Sequence, residues 1–149
     1  MPRAGGCGGL PRGEGVPLDM DDPLTITSRV SARDRVALLT VAGEMDLATS
    51  PAVAAELERL GQAGLLALVV DLRGLTFIDS SGLRVVARAA ERARGTGQRL
   101  VVVRGETAVR RAFEIVGLEA EVECVDDPAP VLRALRGPGR EDDWDDAGS

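Results

Sequence analysis

Asp79, Ser80 and Ser81 place three oxygen-bearing side chains in a row, and Gly82 follows them. A serine hydroxyl can act as a nucleophile, accept a phosphoryl group or cap a helix, and the neighbouring chemistry decides which. That chemistry is restricted, because none of the 149 residues is His, Lys, Tyr or Asn, and all 18 basic residues are Arg. A Ser-His, Cys-His or Ser-Lys pair, a Schiff-base lysine, a P-loop lysine and an imidazole-ligated zinc therefore all lack an essential group. Ser81 also lacks the G-x-S-x-G setting of a hydrolase elbow. The residues offer an acceptor hydroxyl and no base, so the chain reads as a substrate or binding protein and not an enzyme, with no catalytic residue, no cofactor and no metal required. Cys7 and Cys124 lie far apart, outside any CxxC or metal-spaced cluster, and read as reduced thiols of a cytoplasmic protein.

The elements that must position this segment follow from hydrophobic spacing. Leu24 to Val30 alternates apolar and polar, and Arg35 to Ala42 follows across a polar turn, predicting an antiparallel hairpin. Ser50 and Pro51 read as an N-cap and first helical residue, with Val53, Leu57 and Leu60 on one face until Gly61 and Gly64. Leu65 to Leu72 is a nearly continuous apolar run, the pattern of a strand covered on both faces. The segment Arg73 to Gly82 reads as a loop anchored by Phe77 and Ile78, from which a helix starts at Ser80 or Ser81. That helix turns Leu83, Val86, Ala87, Ala90 and Ala93 inward and Arg84, Arg88, Glu91 and Arg92 outward. A buried strand follows over Arg99 to Val103. A third helix starts at a Thr107 cap, buries Val109, Phe113 and Val116, and stops at Gly117. A short strand over Glu121 to Val125 and a helix from Asp127-Pro128 to Gly137, with Val131, Leu132 and Leu135 inward, complete the pattern. The fold class is α/β: one small domain with a mixed, mostly parallel sheet of about five strands and about four helices.

Composition sets the boundaries. Residues 1–23 are rich in Gly and Pro and lack periodicity, predicting a disordered N-terminal extension in which Met20 is a candidate initiator. Residues 137–149 run from Gly-Pro-Gly into five acids, predicting a solvated acidic tail. The formal charge of −6 comes from the two ends, and residues 24–136 form the domain, with 15 Arg balanced by 15 acids. Within it, residues 73–111 hold 9 Arg and 3 acids, while residues 112–127 hold 6 acids and no Arg. No aromatic interleaves with the arginines to stack on bases, which argues against nucleic acid, and no stretch approaches the ~20 apolar residues of a membrane span.

Val69 to Leu83, reading VVDLRGLTFIDSSGL, resembles the signature of STAS domains of bacterial anti-sigma factor antagonists. The likeness extends over residues 24–136 and includes Gly43-Glu44-Met45-Asp46, similar to the family's G-E-x-D turn. The resemblance implies partner switching in transcription regulation. Such a protein binds an anti-sigma factor that is also a serine kinase and is released when that kinase phosphorylates a loop serine, with a serine phosphatase as a further candidate partner. By position in the motif the phosphoacceptor is Ser81. Ser80 is its neighbour and cap, Asp79 orders the loop or orients the hydroxyl, and Gly82 opens the turn. Gly43, Glu44 and Asp46 beside Ser81, with Arg84 and Arg88 at the rim, are the expected partner-binding residues. The alternative is a STAS module that binds a nucleotide or other small ligand as a sensor or scaffold.

Overall fold

The computed structural model describes residues 23–140 and 142–145. Cys7, Met20 and all but the last residue of the extension read over residues 1–23 lie outside the described residues.

Five strands pair in chain order: β1 (Leu24–Ser31), β2 (Val36–Met45), β3 (Ala67–Ile78), β4 (Arg99–Val103) and β5 (Glu123–Val125). β1 and β2 are antiparallel and all later neighbours are parallel. This is the mixed, mostly parallel sheet that the sequence predicts. The parallel pairs need crossovers, supplied by α1 (Ser50–Gly61), α2 (Ser80–Thr96) and α3 (Thr107–Val116), while α4 (Pro128–Arg136) follows β5.

The central strands are buried on both faces, and the period of two divides them between two cores. Ala37, Leu39 and Val41 of β2, Leu68, Val70 and Leu72 of β3, and Leu100 and Val102 of β4 pack with α1, α2 and α3. Val36, Ala67, Val69, Val101 and Val103 face the other way and meet Val131 and Leu132 of α4. Phe113 is fully buried at the centre of α3, and its truncation to Ala should cost about 3–5 kcal/mol.

Several local expectations change. Val116 lies at the frayed end of α3 and is 54% exposed, because Val109 and Phe113 already fill the space beneath that helix. Glu106, not Thr107, occupies the cap position of α3. At α1 the cap position falls on Thr49, so Ser50 lies inside the first turn, where its Oγ is buried without a hydrogen-bond partner. Thr49 does not cap the helix either: its hydroxyl donates to the Glu44 carbonyl at 2.9 Å and receives the Asp46 N–H at 2.9 Å.

The acidic tail is not free of the domain as far as Asp145. Arg136, whose side chain is 0% exposed, bonds Asp34 Oδ2 at 3.1 Å and the carbonyl of Asp143, and its guanidinium lies 4.0 Å from the Trp144 ring centroid. Arg140 reaches the same Asp34 oxygen at 2.7 Å. Asp145 donates its N–H to the Val30 carbonyl at 2.9 Å, and its carboxylate accepts from Ala32 N at 3.0 Å. Trp144 also packs against the α4-side core. A buried guanidinium must be paired and hydrogen-bonded, and this need recruits the tail.

Trp144→Ala should therefore lower stability by about 1–2 kcal/mol in urea unfolding, from lost cation–π and apolar contact. The two arginines hold the Asp34 carboxyl down at about 2 against an ordinary 3.8. The stabilisation from this group is complete above 3.8 and is lost as pH falls through 2. Asp34→Asn should be less stable than the parent at pH 7, with a deficit that shrinks over that acid interval in pH-dependent unfolding.

Candidate functional site

Strand β3 runs past Leu72 to Ile78, so the segment read as a loop from Arg73 is mostly strand, and only Asp79 separates it from α2. Two register shifts against β2 make this possible: Thr40 pairs with Asp71 but Ala42 with Gly74, and Gly43 pairs with Leu75 but Glu44 with Phe77. Each extra residue in β3 reverses the alternation of side chains locally. Leu75 and Ile78 turn into the core, while Phe77 is left 47% exposed, so Ile78 anchors this end of the strand and Phe77 does not. Gly74 fits where Ala42 crowds it, since an added Cβ would lie 2.7 Å from the Ala42 Cβ.

Asp79 is the helix cap. Its backbone is extended, and its Oδ1 accepts from Ser81 N at 2.8 Å and Gly82 N at 3.2 Å. Ser80 therefore does not cap: it is the exposed first residue of α2, because β3 ends at Ile78 and leaves Asp79 in the last non-helical position. Asp79 also donates its N–H to the Met45 carbonyl at 3.0 Å, which ties the start of α2 to the end of β2. Gly82 is buried beneath this junction, where a Cβ would meet Ile78 Cγ1 at 2.7 Å and Met45 Cγ at 3.0 Å.

The turn after β2 is fixed by its own hydrogen bonds. Asp46 Oδ1 accepts from Ala48 N at 3.0 Å and Thr49 N at 3.1 Å, so this carboxylate is occupied in holding the turn. Gly43 has φ of +110°, and its Cα faces the Pro23 carbonyl so closely that an added Cβ would lie 2.1 Å from that oxygen. Glu44 is exposed, and its N–H donates to the same carbonyl at 2.6 Å.

A groove of about 300 Å³ lies between α1 and α2. Ser81, Arg84, Val85, Arg88 and Arg92 line it from α2, and Pro51, Ala54 and Glu58 from α1. Ser50 also lines it from α1, and Leu47, 76% exposed, from the β2–α1 segment. Ser81 is half-buried, and its Oγ makes no hydrogen bond among the described residues, yet it is not one of the sealed, unpartnered atoms. The hydroxyl is open to the groove.

The structure thus brings Ser81, Arg84 and Arg88 together. Gly43 and Glu44, read as part of a turn, lie at the end of β2, where they pair with Leu75 and Phe77 of β3, and only Asp46 lies in the turn that follows; none of the three lines the groove. From that turn the lining residue is Leu47, which sequence reasoning missed together with Ser50, Val85 and Arg92. An apolar residue inside an otherwise polar turn, and a third arginine four residues after Arg88, were the available signals. Among the described residues no group of three or more His, Cys, Asp or Glu could hold a metal, and no helix is long and apolar enough to cross a membrane.

Residues 28–129 match the STAS domain family. The chain belongs to that family. It is 32% identical over 118 residues to the anti-sigma-F factor antagonist RsfB of Mycobacterium tuberculosis, an alignment covering 79% of this chain and 96% of the relative. A crystal structure of an anti-sigma factor antagonist from Mycobacterium paratuberculosis superposes with a TM-score of 0.70 at 28% identity, covering 80% and 99% of the two chains. The unphosphorylated form of the anti-sigma factor antagonist SpoIIAA shares the fold, with a TM-score of 0.64 at 18% identity over 76% and 97% of the chains. The STAS domain of this chain is thus that of the anti-sigma factor antagonists.

Substitutions at two positions test how the STAS site is built. Asp79→Ala should cost about 1 kcal/mol in urea unfolding through loss of the cap, and Asp79→Asn should recover most of it. Gly82→Ala should cost about 1–3 kcal/mol, because the added methyl overpacks Ile78 and Met45.

Proposed function

We propose that this chain binds an anti-sigma factor that is also a serine kinase, and is released when that partner phosphorylates Ser81. The observation that carries the reading is the Ser81 hydroxyl, free of internal hydrogen bonds at the head of the α1–α2 groove. Ser80 is also exposed but does not line the groove, so modification there would alter the contact surface less. The names of the relatives support the antagonist role, and the absence of any His or Lys from the sequence leaves ATP chemistry to the partner. Asp79 orders the start of α2 by capping, Gly82 permits its close packing, and Glu44 offers an exposed carboxylate at the end of β2.

The same geometry explains why a phosphate would act on the complex and not on the fold. Phosphoserine adds roughly 1.5 to 2 negative charges, and near a helix N-terminus such charge is stabilising by roughly 0.3 to 1 kcal/mol. Within a contact surface the added charge and bulk oppose association. A serine phosphatase would reset the switch, and the cytoplasm, where transcription occurs in bacteria, is the expected compartment.

The test is co-purification from the native host, incubation of the recovered complex with ATP, and mapping of the label by mass spectrometry. Label should appear on Ser81. Ser81→Ala should bind as tightly as the parent yet ignore ATP, and Ser81→Asp should bind about a hundredfold more weakly, a loss of ~2.7 kcal/mol. Normal binding by the Asp form, or label confined to Ser80, would sink the proposal. A nucleotide-binding module is the rival reading, and saturable heat on titration with nucleotides would favour it. None of Phe77, Phe113 or Trp144 lines the groove to stack on a base.

A further inference from the structure

Arginine is usually paired in this domain. Arg59 bonds Glu56, Arg73 bonds Asp71, Arg99 bonds Glu123, and Arg104 bonds Glu119 and Asp126. Arg29, Arg33 and Arg111 have no such partner among the described residues, and neither do three arginines of α2, Arg84, Arg88 and Arg92. The last three recur every fourth residue along one side of α2, all line the groove, and none makes a hydrogen bond or ion pair among the described residues. Glu58 lines the opposite wall without forming an ion pair to any of them. Leu47, Val85, Pro51 and Ala54 line the same groove, so apolar side chains share it with three arginines that are unpaired among the described residues.

We infer that this groove receives an acidic, amphipathic segment of the anti-sigma partner, with aliphatic side chains seated against Leu47 and Val85 and carboxylates along Arg84, Arg88 and Arg92. The inference rests on the reading that Ser81 controls partner binding, and it adds how that control works. Helix residues three and four apart are neighbours, so Arg84 stands one turn from Ser81 on the same groove. A phosphate on Ser81 occupies the guanidinium groups nearest the head of the groove, because charge-assisted pairing of Arg with phosphate is strong and local. The acidic segment then meets a neutralised wall. Release follows from competition for the arginines, in addition to the bulk of the phosphate.

The experiment uses the full chain and the partner recovered with it. Affinity is measured by titration at 50 and 300 mM salt for the parent, for Arg84→Gln/Arg88→Gln/Arg92→Gln, and for the matching Arg→Lys form. The parent should weaken at least tenfold between the two salts. The Gln form should bind at least tenfold more weakly at low salt and respond little to salt, and the Lys form should recover most of the affinity. Unchanged urea midpoints confirm that the variants fold. Ser81→Asp is then introduced into the parent and into Arg84→Gln/Arg88→Gln: a penalty of about a hundredfold in the parent should fall below about fivefold in the second background. A photo-crosslinker at position 47 should label a partner peptide rich in Asp and Glu. Equal Ser81→Asp penalties in both backgrounds, a salt-insensitive parent or a basic crosslinked peptide would overturn the inference while leaving ATP-driven release intact. Recovery of no kinase at all would overturn the switch itself and the docking inference with it.

Discussion

A single backbone hydrogen bond, from Asp79 N to the Met45 carbonyl, joins the two segments on which the site depends. It continues the parallel pairing of β2 and β3 past Met45 and Ile78 and sets where β3 ends. With the end of β3 fixed, Asp79 falls in the cap position, and its carboxylate holds the N–H groups of Ser81 and Gly82. Ser81 is then presented on the first turn of α2 at the head of the groove. The N–H to Met45 and the cap belong to one residue, so the strand ladder and the helix start cannot shift independently. Close packing enforces the arrangement, because Gly74 and Gly82 occupy places where a methyl group would collide with Ala42, Ile78 or Met45.

Rigidity at this junction suits a switch read by a partner. A phosphate on Ser81 would not need to move the backbone, since the first turn of α2 is already bound by Asp79 and the positive end of the helix dipole favours negative charge. The surface would carry the response. The groove combines exposed aliphatic residues with unpaired arginines, whereas the rest of the domain pairs most of its arginines with carboxylates or carbonyls. Leaving three guanidinium groups without an ion pair among the described residues along one helix face forgoes little stability, because exposed ion pairs contribute only about 0.2–1 kcal/mol. It keeps those charges available to another chain.

The opposite face of the sheet follows a different logic. There α4 covers Val69, Val101 and Val103, and the segment after it returns to the β1–β2 hairpin through Arg136, Asp34 and Trp144. Within the segment read as a solvated acidic tail, Asp143, Trp144 and Asp145 contact the domain. The carboxylate that pairs with the Arg136 guanidinium, Asp34, lies 102 residues earlier, and no local pattern connects the two.

Element order, the two-sided burial of the central strands and the position of the Asp-Ser-Ser-Gly segment at a strand–helix junction were all determined by the sequence. Each of these is a local signal: a period of two or 3.6, a capping residue, a glycine after a helix. The tertiary structure decided that the β3 ladder continues to Ile78, that Asp79 caps in place of Ser80, that Leu47 and Arg92 share a groove with Ser81, and that Asp143, Trp144 and Asp145 contact the domain. These outcomes depend on register between strands separated by about thirty residues and on which faces of α1 and α2 meet. Periodicity is the same for every register that keeps the pleat in phase, so only the packed sheet selects one.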